Sequence, residues 1–176
     1  ATLRDIAQLA EVRVSLVHHH GGGKEELFTQ TVARRAADLS AARIAALDTA
    51  RQAAPLSLEA VLGAFFRPFM ERVQADPKWR DYARLVAMVS ADPKWHAITA
   101  RHFDPTARIF LRELAALLPD RSPDSIASGF VYSVSAMLAQ LTSHWRLDAL
   151  SNHAERGSTD TDRLVHFRAH ALPQAP

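Results

Sequence analysis

The chain has 176 residues, 48% of them hydrophobic, and a formal net charge of +2. This length and composition suit a folded domain of ordinary size and argue against disorder. The absence of cysteine excludes disulfides, thiol nucleophiles and thiolate metal sites, and the small net charge does not by itself indicate a nucleic-acid partner.

The first segment predicts two short helices and then a long one. Alanine, leucine and arginine favour helix, and strand-like alternation is scarce, so an all-α fold is expected. Thr2 with Asp5 three residues later is a capping-box-like start, which places the first helix at about Leu3 to Ala10. A second helix is expected from about Val14 to His20, ended by the three glycines that follow. A long helix is expected from Lys24 to Ala53.

The rest of the chain also predicts helices. Pro55 ends the long helix, and the next is expected over roughly Leu58 to Ala75. Asp76-Pro77 and Asp92-Pro93 each have the pattern of an N-cap followed by proline at the first helical position. Further helices are expected at about 106–118, 124–147 and 160–172, with a mobile loop over Ser151 to Asp160. No apolar run approaches the roughly 20 residues that cross a bilayer, and no secretory signal is present, so a cytoplasmic protein without a membrane partner is expected.

The helix expected at 124–147 has two informative faces. One is an apolar stripe at spacings of three and four, from Ile126 to Trp145. The other is a line of small or uncharged side chains, which we call the small-residue line: Gly129, Ser133, Ala136 and Gln140. Small side chains allow another helix to approach closely, either within the chain or in a second subunit.

The segment VHHHGGGKEELF, residues 17–28, has three explanations. Consecutive histidines on a helix fan over about 200°, so they cannot converge on one metal ion without unwinding the helix. An affinity tag is normally terminal, whereas this run lies inside a well-patterned segment. Two short helices joined by a three-residue turn instead have the outline of a helix-turn-helix, whose second helix can enter the major groove of DNA.

TLRDIAQLAEV, then a second helix, then HHxxGKEELF, together resemble the DNA-binding segment of the tetracycline-repressor (TetR) family of bacterial transcription regulators. The resemblance covers about residues 2–28, and the rest of the chain agrees in helical layout and length. It implies a helix-turn-helix DNA-binding unit in residues 1–30 and a larger helical domain in residues 31–176 that binds an effector and forms a homodimer. The family has a further helix before the position of Thr2, so this unit is expected to be partial in the sequence given.

The resemblance also implies roles for particular residues of the first unit. Thr2 is expected to meet a phosphate, and His19 and Lys24 to hold phosphates, Lys24 with help from the N-terminal end of its helix. Residues on or beside the second helix are expected to face the base edges or the backbone of DNA, namely Arg13, Val14, Ser15 and His18.

The sequence departs from the family pattern at several of these positions. Glu11 stands in a turn where glycine is usual and adds negative charge near DNA. Arg13 replaces a serine or threonine cap, but gains a guanidinium that can contact guanine or phosphate. Gly21 replaces a phenylalanine, which should loosen the junction between the second and third helices. The small core of the unit is expected to consist of Ile6, Ala7, Ala10, Val12, Leu16 and Leu27.

Aromatic residues cluster from Leu58 onward, and most suit the core of any helical protein. The resemblance implies that some line an effector cavity between the central helices, and the candidates are Phe66, Phe69, Met70, Tyr82, Met88, Phe103 and Phe110. Few charges fall on these faces, so a largely apolar ligand is expected, with Arg84 and His102 as candidates to meet an acidic group on it. The segment from Phe103 to Pro119 is similar to regulators that respond to fatty-acid derivatives, which suggests a fatty-acid-like effector.

The resemblance assigns the small-residue line to a dimer interface, because the last two helices of such regulators pair across a two-fold axis. We therefore expect a repressor that binds a palindromic double-stranded DNA operator as a homodimer and is released by its effector. No cofactor or metal is expected, and an enzyme is not indicated, since no nucleophile elbow, glycine-rich phosphate loop or metal-ligand spacing occurs. The alternative is a ligand-binding or protein-interaction module with impaired DNA binding, which Glu11 and Gly21 favour.

Overall fold

The structure is a computed structural model and describes residues 2–150 and 159–172. Regular secondary structure in this part of the chain is helical and includes no strand, in agreement with the all-α prediction. A short 3-10 turn, Pro93–Trp95, precedes α6. The helices are α1 (Leu3–Leu9), α2 (Val14–Gly21), α3 (Lys24–Ala53), α4 (Leu58–Ala75), α5 (Pro77–Ala91), α6 (His96–His102), α7 (Asp104–Leu117), α8 (Pro123–Thr142), α9 (His144–Leu150) and α10 (Thr159–Ala171).

The predicted helix starts are confirmed by their capping hydrogen bonds. The Asp5 amide donates to the Thr2 hydroxyl at 3.2 Å, and the Thr2 amide donates to the Asp5 carboxylate at 2.7 Å, which completes a capping box. The carboxylates of Asp76 and Asp92 each accept a backbone N–H two residues later, at 2.9 Å. The second of these caps begins the 3-10 turn and not an α-helix. Gly22 follows α2 with a φ of 61°, a conformation that favours glycine.

The prediction of a single helix over 124–147 is wrong, because the chain leaves helical geometry at Ser143 (φ −115°, ψ 26°). The amide of this residue donates to Ala139 O at 2.7 Å and ends α8 at Thr142. Trp145 therefore lies on α9, where it is exposed, and does not extend the buried stripe of α8. Most of the loop expected over Ser151 to Asp160 lies outside the described residues, since 151–158 are not described and α10 begins at Thr159.

Helix α4 is the centre of the core. It contacts α3 and α10 most extensively and also α5, α7 and α8, and nine of its ten residues from Val61 to Met70 are buried. Phe65 meets Phe110 of α7 and Phe130 of α8 edge-on, with ring centroids 5.0 Å apart in each case. The apolar face of α10 closes the core through Val165 and further residues toward its C-terminal end.

A second, smaller apolar cluster connects the N-terminal part of α3 with α5 and α6. Its buried members are Val32, Val89 and Ile98. Phe28 and Trp95 pack against it, with their ring centroids 4.5 Å apart. Phe103, at the junction of α6 and α7, packs against both clusters. This cluster, which we call the α3–α6 cluster, holds the start of the long helix against the larger domain.

No helix in the described ranges combines the length and apolarity that crossing a membrane requires.

Candidate functional site

The predicted DNA-binding residues are exposed, and they lie on α2 and at the starts of α1 and α3. A shallow open groove at the turn after α1 and along α2 is lined by Arg13, Ser15 and His19, together with Glu11, Val12 and Leu16. Val14 and His18 are exposed on α2 outside this groove. Thr2 caps α1, and Lys24 is the exposed first residue of α3, directly after Gly23.

Glu11 adopts a left-handed backbone conformation, with a φ of 55°. Its amide donates to Gln8 O at 3.2 Å, and the Val12 amide donates to Ala7 O at 3.0 Å, so the turn after α1 is closed by two backbone hydrogen bonds. Such a conformation costs a non-glycine residue roughly 1–2 kcal/mol. A glycine, which is usual at this position in the family, would avoid that cost. The replacement of this glycine by Glu11 therefore leaves the backbone strained.

The small core expected for this unit is only partly present among the described residues. Ala7 is buried, and Ile6 and Leu27 are half-buried. Ala10, Val12 and Leu16 are exposed, the last two at 39% and 46%, so their assignment to the core is wrong for this arrangement. Helices α1 and α2 are only about two turns long each, so together they bury few side chains.

A cavity of about 400 Å³ lies between helices α3 to α8. Its volume falls at the lower end of the range for small-molecule sites, roughly 300–1,000 Å³. Apolar side chains form most of the wall, among them Leu39, Phe65, Phe69, Val86, Phe103, Ala107, Leu111, Phe130, Val134, Met137 and Leu138. Hydroxyl groups are contributed by Ser90, Thr99 and Ser135.

Two of the seven residues proposed for an effector pocket, Phe69 and Phe103, line this cavity. The other five lie elsewhere. Phe66 and Phe110 are fully buried in the core, and Tyr82 is buried with its hydroxyl donating to Val32 O at 3.0 Å. Met70 borders a separate depression beside α8 and α9, and Met88 is exposed on α5.

Arg43 is the charged residue that sequence reasoning missed. It is 6% exposed and belongs to the cavity wall. Its Nε donates to Phe65 O at 2.8 Å, and its guanidinium carbon lies 3.6 Å from the Phe65 ring centroid. Burial lowers the pKa of Arg43 to about 9, so the side chain is a cation at neutral pH. A signal existed in the sequence, because Arg43 occupies the apolar stripe of α3 between Leu39 and Leu47.

The two groups proposed to meet an acidic part of the ligand do not line the cavity. Arg84 is exposed and forms a 3.1 Å ion pair with Asp81. The Nε2 of His102 is buried and has no hydrogen-bond partner in the described part of the chain. Burial, with a smaller effect of Arg101, lowers the pKa of His102 and keeps the ring neutral at pH 7.

The small-residue line of α8 faces α10 of the same chain at its first two members. The Nε of Arg168 donates to the Ser133 hydroxyl at 2.9 Å, and Nη2 donates to Gly129 O at 3.2 Å. Both of these α8 residues are buried, while Ala136 and Gln140 are half-buried. The line thus allows α10 to approach α8 closely, which is the within-chain explanation.

The family model described as "Tetracyclin repressor-like, C-terminal domain" matches residues 63–171, which is more than half of the chain. The chain belongs to the TetR family. The match extends from the first turns of α4 to the end of α10 and includes most of the cavity wall. A comparison with curated proteins gave no match.

Membership of the TetR family confirms the predicted family and identifies a transcription regulator, not an enzyme. Regulators of this family generally act on DNA and respond to small molecules, which agrees with the two kinds of partner expected from the sequence. The match begins after α1, α2 and α3, so the assignment of individual DNA-contacting residues stays a prediction.

The conformation of Glu11 predicts that Glu11→Gly stabilises the α1–α2 unit by about 0.5–1 kcal/mol. Relief of the left-handed strain outweighs the extra entropy that glycine gains in the unfolded chain. Native-state hydrogen exchange of the α1 and α2 amides should show slower exchange. The control is Gln8→Gly inside α1, which should accelerate exchange because glycine costs a helix about 1 kcal/mol. Faster exchange in Glu11→Gly would contradict the prediction.

Proposed function

We propose that the chain is a cytoplasmic repressor that binds a palindromic operator as a homodimer and releases it when an apolar effector occupies the cavity. In this proposal residues 1–30 bind DNA, and residues 31–176 bind the effector and form the dimer. The observation that carries it is the position of the cavity. It is walled on one side by α3, which follows α2 directly, and on the others by helices of the domain that matches the family.

Contacts within the larger domain supply a route from the cavity to the DNA-binding unit. Phe103 and Thr99 line the cavity and belong to the α6 region. Phe103 also packs against the α3–α6 cluster, and so does Phe28 in the second turn of α3. A ligand that displaces Phe103 therefore changes the packing of the first turns of α3. Because those turns follow the recognition helix α2, effector binding and DNA binding become thermodynamically linked.

The dimer interface is proposed on the exposed side of α8 and α10. Tyr132 is 58% exposed and Phe167 is 64% exposed. Tyr132 directly precedes Ser133, and Phe167 directly precedes Arg168, the two residues whose hydrogen bond joins α8 to α10. Large exposed aromatic side chains of this kind are enriched at interfaces. In this arrangement the small-residue line brings α8 and α10 together within one subunit, and the aromatic residues beside it meet the second subunit.

DNA binding is proposed for the exposed face of α2 and the start of α3. Arg13, Ser15 and His18 are exposed where a recognition helix presents side chains to a major groove. Lys24 stands at the N-terminal end of a helix, where a phosphate is favoured by the positive end of the dipole.

Lys24→Ala should weaken operator binding on the order of fivefold to tenfold, and to a similar extent on all DNA sequences, because a phosphate contact carries no sequence information. Lys78→Ala, which removes an exposed lysine from α5, is the matched control and should bind as the unmodified protein does. Gel-shift titrations with the upstream DNA of the gene at two salt concentrations would measure both. Equal affinities for the two variants would contradict the placement of α3 on DNA.

The same titration separates the repressor from the alternative function. The strained Glu11 conformation favours a helical ligand-binding module with impaired DNA binding. A sequence-selective, salt-sensitive shift supports the repressor, and the absence of any shift from the unmodified protein supports the module.

The proposed dimer face predicts that Tyr132→Arg together with Phe167→Arg shifts the protein to monomers, since two charges then face their symmetry mates without partners. The matched control is Met88→Arg, which places a charge on an exposed apolar residue of α5 outside this face. Sedimentation velocity at micromolar concentration would report the mass. A double variant that sediments as the unmodified protein does would refute this interface.

A further inference from the structure

We propose that the effector carries a carboxylate, and that Arg43 binds this headgroup inside the cavity while the apolar wall holds the remainder of the ligand. This inference rests on the proposed function, because it specifies the chemical class of ligand for the same cavity.

The hydrogen bonding of Arg43 is incomplete. A guanidinium has five N–H donors, and here Nε donates to Phe65 O while no described residue accepts from the two Nη groups. The faces of Phe65 and Phe69 lie 3.6 Å and 5.8 Å from the guanidinium carbon, which offsets part of the lost hydration. Burial of a cation without a counterion is nevertheless costly, and a carboxylate in the cavity would accept from the remaining donors in a bidentate pair.

The charges near the cavity favour an anion. Asp104 and Arg108, the other charged residues of the wall, lie 4.0 Å apart and offset each other. Tyr82 is not a counterion for Arg43, because burial raises the pKa of its phenol and its hydroxyl already donates to Val32 O. Arg72 also acts on Arg43 by charge repulsion. The positive charge of Arg43 is therefore uncompensated among the described residues.

The rest of the cavity selects an apolar chain or ring. Most of its wall is aliphatic or aromatic, and its hydroxyl groups come from Ser90, Thr99 and Ser135. A ligand with one ionised end and one apolar part satisfies both the guanidinium and the wall, whereas a neutral hydrocarbon leaves the cation unpaired.

Isothermal titration of the full chain with decanoate, decan-1-ol and methyl decanoate tests this inference without DNA. We expect decanoate to bind at least about tenfold more tightly than the alcohol or the ester, because only the acid pairs with a guanidinium. In Arg43→Gln this preference should be lost. The matched control is Arg112→Gln, which removes an exposed arginine of α7 outside the cavity wall and should keep the preference within about twofold.

Equal binding of the three probes, or no binding of decanoate, would overturn the proposal. The three-probe comparison on the unmodified protein decides the matter even where circular dichroism shows that Arg43→Gln does not fold. The proposed repressor function is tested separately. If decan-1-ol binds as well as decanoate and both release operator DNA in the gel shift, the repressor function is supported and the carboxylate headgroup is refuted.

A second inference comes from a different part of the molecule. We propose that Glu59, His166 and His170 bind a zinc ion between the start of α4 and α10. Each offers one ligand atom, and these atoms lie within 4.8 Å of one another. The two histidines are four residues apart on α10 and so share a face, and all three side chains are exposed to an incoming ion.

The geometry of the histidines suits this role. His170 Nδ1 lies 2.9 Å from His166 O, so when Nδ1 is protonated it donates to this carbonyl and leaves Nε2 as the metal ligand. Metal-binding histidines are commonly oriented by such a bond. Two imidazoles and one carboxylate form a typical three-residue zinc set with an open fourth position. The ion would join α10 to α4, two helices that are also joined by the Arg67–Asp162 ion pair, which has an N–O distance of 2.9 Å.

Zinc titration with calorimetric readout tests this site against the competing histidine run. The unmodified protein and a His18→Ala, His19→Ala, His20→Ala variant should each bind one ion per chain at this site. His170→Ala and, separately, Glu59→Gln should bind it about tenfold or more weakly, and His96→Ala, an exposed histidine of α6, is the control. Zinc should also raise the melting temperature of the triple variant but not that of a triple variant that also carries Glu59→Gln. No binding by the triple variant would overturn the proposal, as would unchanged binding by Glu59→Gln.

Discussion

The arrangement of this chain depends on the burial of α4. Almost every side chain from Val61 to Met70 is buried, so neighbouring helices must surround α4 on nearly all sides. Its interior Pro68 lacks an N–H for the helical ladder, and its carbonyl accepts from Arg72 Nη1 at 2.9 Å. The packing of α3, α5, α7, α8 and α10 on this one helix fixes their relative positions. It also leaves a gap between helices α3 to α8 that their side chains do not fill, and this gap is the cavity.

The sequence predicted the parts of the fold that are encoded locally. The helix limits Lys24–Ala53 and Leu58–Ala75 agree with the pattern of apolar residues. Asp76-Pro77 marks the start of α5, and Asp92-Pro93 marks the start of the 3-10 turn before α6. The break at Ser143 was missed, because a serine inside a continuous apolar stripe carries no strong helix-ending signal. Family resemblance supplied the fold of the larger domain, and the matching family model confirmed it.

The candidate sites were harder to predict, since they depend on which faces of distant helices meet. Aromatic character did not separate Phe66, which fills the core, from Phe69, which lines the cavity, although they are three residues apart. The spacing of His166 and His170 is visible in the sequence, but their meeting with Glu59 depends on how α10 crosses α4. Similarly, the small-residue line predicted that another helix packs closely on α8. Only the contacts of Arg168 showed that this helix is α10 of the same chain.

In the proposed function, coupling between the cavity and DNA passes through the junction between α2 and α3. A helix of 30 residues is about 45 Å long, so α3 transmits a displacement along its length with little internal loss. Arg43 and Leu47 hold its central part against the main core, and Val32 holds its start against α5 and α6. Beyond that start the chain passes through Gly22, in a backbone conformation that other residues avoid, and through Gly23, whose missing side chain has open space around it. The orientation of α2 therefore depends on its packing against α3 and not on the stiffness of the connection. Under the proposed function, DNA affinity then depends on this glycine junction as much as on the cavity.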